Sequence, residues 1–548
     1  MILANRKKIR WEIFGPMTAI IAACVIAAIT IPQQFYNAEN ALVESAIANL
    51  GWLFDLFGMG AVLFCFYLMF SRYGDVRLGG PDAKPEYTTW SWFVLTLKCG
   101  IAIGILFWGI AEPLYHFCTP PKVLGIEPYS EKAAIFSLST ATLHWTLTPY
   151  AMYTLAGLAV GLVHYNLKLP YTQGATLYPI FKQRSFGFVG TVLDNLCLFA
   201  IVGGVAAVMG VLAMQIGSGL HILAGIETGP HIWAIVIIIA TIAAVALSIS
   251  GIKRGISIMA KINTNIFIFL LLFVLVFGPT AFILKLGTAS LGDYLQNFFT
   301  KSLFLSPIDQ SDWPRWWTVY YWAIWLAYAP MSGMFFARVA YGRTIREFIL
   351  CNLVATSIFG MVWFWIFGGS AIFFEWQTKG LWTIISSPQG GLEASLFAYL
   401  QNLPLSTVLS WVMLGTIITS FSTMADSMTT TVAAMNTTGN TKDDPEPPSY
   451  MKIVWGVLMG GMALITLTVG SGGKISGIDA TKMIATVAGI PILFYAIAQG
   501  YSIFAILFNH KKYDLTYYPE TADKIDVPAH LRDGEQDKDN PAGTGVST

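Results

Sequence analysis

The feature that most constrains this chain is the recurrence of apolar runs about as long as a bilayer is thick. A helix crossing a hydrocarbon core of about 30 Å needs about 20 predominantly apolar residues. Such runs lie near 13–32, 51–71, 89–114, 134–164, 189–220, 232–250, 257–284, 317–340, 348–374, 405–436, 452–471 and 482–508. Because only 11% of the 548 residues are charged, we predict an all-α polytopic membrane protein of about 12 transmembrane helices.

The positions of lysine and arginine indicate the orientation of these helices. Basic residues precede the first run, at 6–10, and fill alternate connections such as 338–346. The connections 33–50 and 221–231 contain no lysine or arginine, although Lys474 and Lys482 leave the last outer connection ambiguous. Since basic connections stay in the cytoplasm, both termini are predicted to be cytoplasmic, at a bacterial inner membrane.

The runs also divide the chain into three parts. We predict a cytoplasmic N-terminus at 1–12, a transmembrane transporter domain at 13–510 and a cytoplasmic tail at 511–548. The tail is polar, contains proline and glycine, and has no basic cluster. We expect it to be disordered, because such a composition cannot bury enough apolar surface to fold.

Charge and motif content limit the functional classes. The formal net charge of +1 gives no field that would recruit nucleic acid. The six cysteines show no metal-ligand spacing, and the seven histidines form no HExxH or HxxxH pattern. We therefore expect no cofactor, no metal and no enzyme. A channel is the alternative from a different class, but it would be expected to show a filter motif, whereas the breaks and aromatic stripes described next favour a carrier.

Two of the apolar runs are interrupted. The third contains Gly100, Ala102 and Gly104, and the fourth contains Pro149. Backbone that is freed at a break inside a membrane must be buried in protein or line a wet cavity. Discontinuous helices near mid-membrane are typical of a transporter's binding site. Close helix packing on the two glycines is the competing interpretation.

Aromatic residues form two stripes that could line one cavity. Five of the 18 tryptophans fall within 313–325. The eighth run carries one stripe at three-residue spacing: Trp322, Trp325 and Tyr328. The fourth run carries the other: Trp145, Tyr150 and Tyr153. Ring faces stabilise a quaternary ammonium by roughly 0.5 to 2 kcal/mol per ring. At the level of residues alone, ordinary core packing remains the alternative to a cation cage.

Three segments resemble the betaine/carnitine/choline transporter family. They are GILFWGIAEPLYHFCTPP, LHWTLTPYAMYTLAGLAVG, and WWTVYYWAIWLAYAP followed by GMFFARVAYGRTIREF. The resemblance extends over about residues 10–510. It implies two peripheral helices followed by two inverted five-helix repeats, the third to seventh and the eighth to twelfth spans. It also implies a homotrimer in the lipid bilayer that transports glycine betaine, carnitine, γ-butyrobetaine or a similar zwitterion.

The resemblance further implies which residues contact the substrate. The family's aromatic box falls on four residues: Trp145, Tyr150, Tyr153 and Trp325. Additional family aromatics fall on three more: Tyr115, Trp317 and Trp322. The family has tryptophan where this chain has Tyr150 and Ile324. Choline carriers place an acid at the position of Gly104, so a substrate that carries its own carboxylate is expected here.

Lys98 raises the question of how transport is coupled to an ion. It is the only charged side chain between Tyr87 and Glu112, and an intramembrane lysine costs on the order of 2.5 to 3.5 kcal/mol. The resemblance implies a sodium site near this position, completed by a Thr–Ser pair that is Thr423 and Met424 here. A thioether is a poor ligand for a hard cation. We therefore expect the Lys98 ammonium to replace sodium, in exchange or in proton-coupled uptake.

The roles of three residues in coupling stay open. Lys98 can instead extend into a cytoplasmic cavity, leaving a sodium-coupled betaine or choline carrier. Asn263 aligns with the arginine that replaces sodium in the family's carnitine exchangers. Asp426 is the lone charged residue between 394 and 442, and it suits ion binding and the capping of a helix break equally well.

Overall fold

The computed structural model describes residues 7–101, 104–250, 253–387, 391–438, 446–471, 477–523 and 525–528. The described structure is almost entirely helical. Its two strands, β1 (Lys8–Ile9) and β2 (Thr437–Thr438), have two residues each and pair antiparallel. The predicted all-α fold is therefore confirmed.

Up to residue 277, the described part of the chain contains ten α-helices. They are α1 (Trp11–Thr30), α2 (Pro32–Phe70), α3 (Thr89–Ile101), α4 (Gly104–Cys118), α5 (Glu131–Trp145), α6 (Leu147–Gly161), α7 (Tyr178–Phe181), α8 (Phe188–Ala224), α9 (Pro230–Ser250) and α10 (Lys253–Phe277). A π-helical turn extends α6 over Leu162–Asn166.

From residue 280 onward, ten more α-helices lie among the residues that the structure describes. They are α11 (Thr280–Ser302), α12 (Tyr320–Arg338), α13 (Ile345–Ile349), α14 (Thr356–Thr378), α15 (Gly380–Ile385), α16 (Ser395–Leu400), α17 (Ser406–Met435), α18 (Ser449–Ser471), α19 (Gly477–Phe508) and α20 (His510–Tyr513). π-helical turns lead into α12 at Arg315–Val319 and into α14 at Leu350–Ala355.

Helix length and burial support a multi-pass membrane protein. Among the described residues, 8 helices are long and apolar enough to cross a bilayer, or up to 9 if a bent pair is one span. The predicted count of about twelve is not confirmed by this criterion. In the most apolar stretch of α1, only 22% of the residues are buried, and the same holds for α9. In the corresponding stretch of the segment Glu131–Asn166, 94% of the residues are buried. Apolar surface suits lipid contact, so α1 and α9 are peripheral and α5 and α6 are central.

The fourth predicted run is broken into α5 and α6. Thr146, between the two helices, has φ −125° and ψ −108°. Pro149 has no N–H to donate to the carbonyl of Trp145, and its ring would clash with that carbonyl in a continuous helix. The break therefore lies just before Leu147, and Pro149 sits in the first turn of α6, where a missing N–H costs little.

The seventh predicted run, 257–284, is wrong at its C-terminal end. The chain bends by 107° between Lys261–Phe277 and Thr280–Ser302. Gly278 and Pro279 lie at this bend, and residues before proline disfavour the helical conformation. The following helix, α11, packs against α5 and α14. Apolar residues continue across the bend, so hydropathy alone could not predict its position.

The N-terminal segment is tied to the ends of two long helices. Arg10 donates through Nη2 to Asp194 Oδ2 at 3.0 Å, near the start of α8. Its Nη1 reaches the carbonyl of Met435 at 3.3 Å, and its backbone N–H donates to Asn436 O at 2.9 Å. This buried ion pair stands next to the β1–β2 pairing, so one polar cluster joins the N-terminus to α8 and α17.

The beginning of the C-terminal tail also lies against the helical body. Asn166 donates to Asp514 Oδ2 at 2.7 Å, and the backbone N–H of Leu515 donates to Asn166 O at 3.1 Å. Burial favours the neutral form of Asp514, but hydrogen bonds from His510, Thr516 and Asn166 hold the pKa of its carboxyl below the ordinary value. The sequence predicts disorder here, yet these bonds hold the first part of the tail; residues 529–548 lie outside the described part.

Candidate functional site

Three rings from α5, α6 and α12 meet at right angles near the break in the fourth run. The ring centroids of Trp145 and Trp325 are 4.8 Å apart at 85°. Those of Tyr153 and Trp325 are 6.0 Å apart at 82°. Tyr150 extends the group, 6.3 Å from Tyr153 at 85°. These edge-to-face contacts bring four rings from three helices together, and the faces of such rings can stabilise a cation that binds beside them. We call Trp145, Tyr150, Tyr153 and Trp325 the aromatic box.

The helix break positions the box. The last carbonyls of α5 have no partner within the helix, and one of them, His144 O, accepts a hydrogen bond from Trp325 Nε1 at 2.8 Å. The side chain of Thr146 donates back to Thr142 O at 2.6 Å. A backbone group freed by the break therefore fixes the ring of a tryptophan on α12, which joins the two predicted repeats at the box.

Gly104, the first residue of α4, faces the box directly. A Cβ at this position would lie 3.0 Å from Cη2 and 3.2 Å from Cζ3 of Trp145. Contacts below about 3.4 Å require one of the groups to move, so the absence of a side chain lets the α4 backbone approach the indole. Gly100 lies in α3, but its surroundings are outside the described part, and Ala102 lies outside it altogether.

A second aromatic group lies next to the box. Tyr115 and Trp317 have centroids 4.7 Å apart, and Trp108 lies 6.2 Å from Trp317 at 86°. Tyr321 connects the two groups, since its centroid is 6.2 Å from that of Trp317 and 5.7 Å from that of Trp145. Tyr115 and Trp317 were both predicted substrate contacts, and the structure places them one ring away from the box.

Two predicted contacts point elsewhere. Trp322 is fully buried; its Nε1 faces α2, 3.6 Å from the position of a Cβ on Gly58, and its ring lies edge-on to His144. Tyr328 faces α8, where it donates to the carbonyl of Gly204. Residues three apart on a helix differ by about 60° in direction, which is enough to turn both rings away from the surface that Trp325 presents.

Sequence reasoning missed the carboxylate behind the box. Glu112 on α4 is fully buried and receives three hydrogen bonds. Its Oε1 pairs with His144 Nδ1 at 2.6 Å, while its Oε2 accepts from Trp145 Nε1 at 2.7 Å and from Tyr321 OH at 2.6 Å. A lone acid within an apolar run, beside Pro113, is a signal that could have identified it.

Two histidines complete this cluster. His144 Nε2 lies 3.0 Å from Thr318 Oγ1. His116 Nε2 is 3.6 Å from Glu112 Oε1, beyond hydrogen-bonding distance, while its Nδ1 accepts from Trp313 Nε1 at 3.4 Å. The ligand atoms of Glu112, His116 and His144 lie within 4.8 Å of one another. Two ligands of one tetrahedral metal ion are about 3.3 Å apart, so the 2.6 Å contact between Glu112 and His144 fits a shared proton instead.

The predicted coupling residues are described only in part. Lys98 lies in α3 and Thr423 in α17, but both side chains are outside the described part. Met424 and Asp426 are half-buried on α17. Asn263 of α10 is buried and joins α17 through two further residues: it donates to Ser420 Oγ at 3.1 Å and accepts from Thr419 Oγ1 at 2.8 Å.

Comparisons with known proteins agree with the predicted class. The family model described as "BCCT, betaine/carnitine/choline family transporter" matches residues 12–512. The "Glycine betaine transporter OpuD" of Bacillus subtilis is 32% identical over 523 residues, covering 95% of this chain and 98% of the relative. The "Probable glycine betaine transporter" of Desulfitobacterium hafniense is 31% identical, with coverage of 89% and 96%. The "Betaine/ectoine transporter LcoP" of Corynebacterium glutamicum is 32% identical, with coverage of 89% and 76%.

Proposed function

The chain belongs to the betaine/carnitine/choline transporter family, and from this premise we propose that it carries a zwitterionic quaternary-ammonium compound, with glycine betaine as the first candidate substrate. It is a multi-pass membrane transporter and not an enzyme. The observation that carries the proposal is the pair of perpendicular contacts that Trp325 makes with Trp145 and Tyr153. A trimethylammonium group cannot donate hydrogen bonds, so ring faces are its best partners.

The charges around the box favour a zwitterion over choline. Glu112 is the described acid nearest the rings, and donors from His144, Trp145 and Tyr321 occupy its oxygens. It is therefore committed to the protein and poorly placed to accept a substrate hydroxyl. Gly104 offers no side chain toward the box. No described acid is therefore placed to accept a hydrogen bond from the hydroxyl of choline, whereas a zwitterion ends in a carboxylate and needs no such acceptor.

The printed names of the relatives suggest which zwitterions to test first. Two of them name glycine betaine, and a third names betaine together with ectoine. Carnitine and γ-butyrobetaine follow as longer substrates, which would extend from the box toward Tyr115 and Trp317. The short distance between Tyr321 and both aromatic groups supports this direction.

For coupling, we propose sodium-independent transport, by exchange or by proton-coupled uptake, in a homotrimer with both termini in the cytoplasm. Met424 in place of a hydroxyl residue and the lone lysine at position 98 support this choice. Asn263 supports it further, because its amide already joins α10 to α17 near the predicted ion position. Sodium-coupled uptake of betaine or choline is the alternative.

Counterflow in proteoliposomes tests the function. The purified protein is reconstituted with unlabelled betaine inside and labelled substrate outside, with sodium or potassium as the only alkali cation. A panel of glycine betaine, carnitine, γ-butyrobetaine, choline and trimethylamine N-oxide competes for uptake. We expect saturable accumulation that glycine betaine abolishes and that does not depend on sodium. A channel would equilibrate label without counterflow, and preferred uptake of choline would contradict the proposed substrate class.

A further inference from the structure

The buried carboxylate behind the box has the features of a proton site. We infer that Glu112 and His144, with His116 beside them, bind and release a proton, and that this proton competes with a cation in the aromatic box. The inference rests on the proposed function, because it requires that the box binds quaternary ammonium. It assigns to the same site a ligand, H⁺, that the substrate displaces.

The hydrogen bonds allow His144 to be neutral or charged without rearrangement. In both forms Nδ1–H donates to Glu112 Oε1 at 2.6 Å. In the neutral form Nε2 accepts from the hydroxyl of Thr318, and in the charged form Nε2–H donates to it at the same 3.0 Å. A hydroxyl can act in either direction. His144 can therefore gain a proton while every partner of the ring stays hydrogen-bonded.

His116 gives the cluster a second place for this proton. The N–H of Trp313 donates to Nδ1 of His116, so a neutral ring carries its hydrogen on Nε2. That nitrogen is fully buried and points at Glu112 Oε1 from 3.6 Å without forming a hydrogen bond. A small rotation of the ring would let His116 donate to Glu112 and take over from His144.

The charge of the cluster is felt directly at the box. With both histidines neutral, the three side chains carry −1, and with one histidine protonated they carry zero. Glu112 Oε2 holds the N–H of Trp145, whose ring is a wall of the box. A buried charge acts through a medium of low effective dielectric. A substrate cation against Trp145 is therefore stabilised more by the deprotonated cluster than by the protonated one.

Linkage fixes the sign of the effect. If a proton weakens substrate binding by some factor, substrate binding must weaken proton binding by the same factor. Affinity should rise with pH, and binding should release up to one proton. In a transport cycle, the site would then carry a proton in the direction opposite to the substrate.

Other charged and titratable groups lie farther from the cluster or already have a partner. The charge of Lys301 on α11 interacts electrostatically with His116, and Lys301 itself forms an ion pair with Asp293. Tyr321 of α12 donates to Glu112. Further described groups on the packed elements include Asp55 of α2, which faces Trp322, Glu375 of α14, which accepts from Tyr129 and Trp382, Glu393 before α16, and the phenols Tyr320 of α12, Tyr399 of α16, Tyr294 of α11, Tyr150 and Tyr153 of α6, and Tyr115 of α4. Among the described side chains, His144 and His116 are the two whose protonation neutralises Glu112 directly.

Equilibrium binding across pH tests the inference. The full-length protein in lipid nanodiscs is titrated with labelled glycine betaine between about pH 5.5 and 8.5, a range that brackets the ordinary titration of histidine. We expect the dissociation constant of the wild type to be about tenfold higher at the acidic end, which lies well within the limit of tenfold per pH unit that one linked proton allows. The double variant His116→Gln/His144→Gln keeps side-chain N–H donors beside Glu112 but removes both histidines that can take up the proton, so its affinity should vary much less with pH.

A second readout and a control complete the test. In weakly buffered solution with a pH indicator, wild-type protein should release protons when betaine is added, and the double variant His116→Gln/His144→Gln should release far fewer. His221→Gln is the matched control, because His221 is exposed at the end of α8 and should leave both readouts unchanged. If the double variant does not fold, proton release by the wild-type protein alone decides whether the inference holds. Binding that is independent of pH and releases no proton would overturn the inference alone, whereas no binding at any pH would overturn the proposed function and this inference with it.

Discussion

At the scale of single residues, Trp145 and Trp325 each use both parts of the indole. The ring of Trp325 faces Trp145 and Tyr153, while its N–H satisfies the carbonyl of His144. The ring of Trp145 faces Trp325, while its N–H donates to Glu112. Phenylalanine would keep a ring face and lose the donor. Alanine would lose both, so paired substitutions can separate binding from structural support.

The first prediction uses this separation. Trp145→Ala and Trp325→Ala should each weaken betaine binding by about 2- to 30-fold, the equivalent of roughly 0.5 to 2 kcal/mol for one ring. Trp325→Phe should keep more affinity but melt at a lower temperature, because His144 O loses its donor at a cost of about 1 to 3 kcal/mol. Isothermal calorimetry and thermal unfolding of the purified variants measure the two effects.

A surface tryptophan provides the control for these variants. Trp411 on α17 is 51% exposed, so Trp411→Ala should leave affinity unchanged. Size-exclusion chromatography checks that each variant keeps the assembly of the wild type. If both alanine variants at the box bind betaine as the wild type does, the box is not the binding site.

The second prediction concerns substrate charge at Gly104. Wild-type protein should prefer glycine betaine over choline by at least about tenfold, or about 1.4 kcal/mol. Any side chain here presses on Trp145, because a Cβ would lie 3.0 Å from the ring. Gly104→Ala and Gly104→Asn should therefore weaken both substrates alike. Gly104→Asp should in addition narrow the preference for glycine betaine over choline, because its carboxylate can accept a hydrogen bond from the hydroxyl of choline.

Competition assays on the three variants isolate the charge from the steric effect. The informative quantity is the ratio of the two inhibition constants, since steric displacement of Trp145 cancels in that ratio. An unchanged ratio in Gly104→Asp, or a wild type that prefers choline, would show that the argument from charge is wrong.

At the scale of helices, local chemistry explains what the sequence could predict. Apolar runs predicted the helices, and Pro149 marked the break between α5 and α6, because a proline acts on its own backbone. The bend at Gly278 and Pro279 was not predicted, because apolar residues continue on both sides of it. The Glu112 cluster was missed for another reason. Its partners lie on α5 and α12, 32 to 209 positions away, and no local pattern encodes such pairings.

The third prediction tests the crossing of α6 and α12, the helices that carry the box. A Cβ on Gly333 would lie 2.6 Å from Ala156 Cβ and 2.8 Å from the backbone carbon of Ala156. Backbone cannot move aside as a flexible side chain can, so Gly333→Ala should destabilise the protein by about 1 to 3 kcal/mol. It should also weaken betaine binding, because the separation of Tyr153 and Trp325 would change.

Gly461 is the matched control on α18, since a Cβ there would meet nothing within 4 Å. Gly461→Ala should leave binding intact and raise the unfolding temperature slightly, given the better helix propensity of alanine. Thermal unfolding in detergent, followed by a thiol-independent probe such as intrinsic fluorescence, compares the two. Equal behaviour of both variants would show that the crossing has room that the structure does not indicate.

At the scale of the whole molecule, α12 connects the parts that a transport cycle must move. It packs on α6, on α8 and on α19, and therefore touches both predicted repeats. Asn263 adds a second connection, from α10 to α17, through Ser420 and Thr419. In a sodium-driven carrier a bound ion would help to hold such elements together. In this protein neutral amide and hydroxyl groups join α10 to α17, and the proposed sodium-independent transport would in addition need a link between α3 and α17.

The last prediction assigns that link to Lys98. If its ammonium replaces the ion, counterflow should proceed at the same rate when sodium is exchanged for potassium, since no ion is needed to complete the site. Lys98→Ala should then lose most transport while keeping betaine affinity within about threefold, or about 0.7 kcal/mol, because the lost group joins helices and does not touch substrate. Lys98→Arg should retain part of the transport, and Lys285→Ala, which removes an exposed charge from α11, should retain all of it. A proton-coupled carrier would add faster uptake under an inward proton gradient, as expected for symport and opposite to the effect inferred for the Glu112 cluster, so the sign of that response distinguishes the two sites. Steep dependence on sodium, together with a fully active Lys98→Ala, would contradict the replacement and leave Lys98 as a side chain that extends into a cytoplasmic cavity.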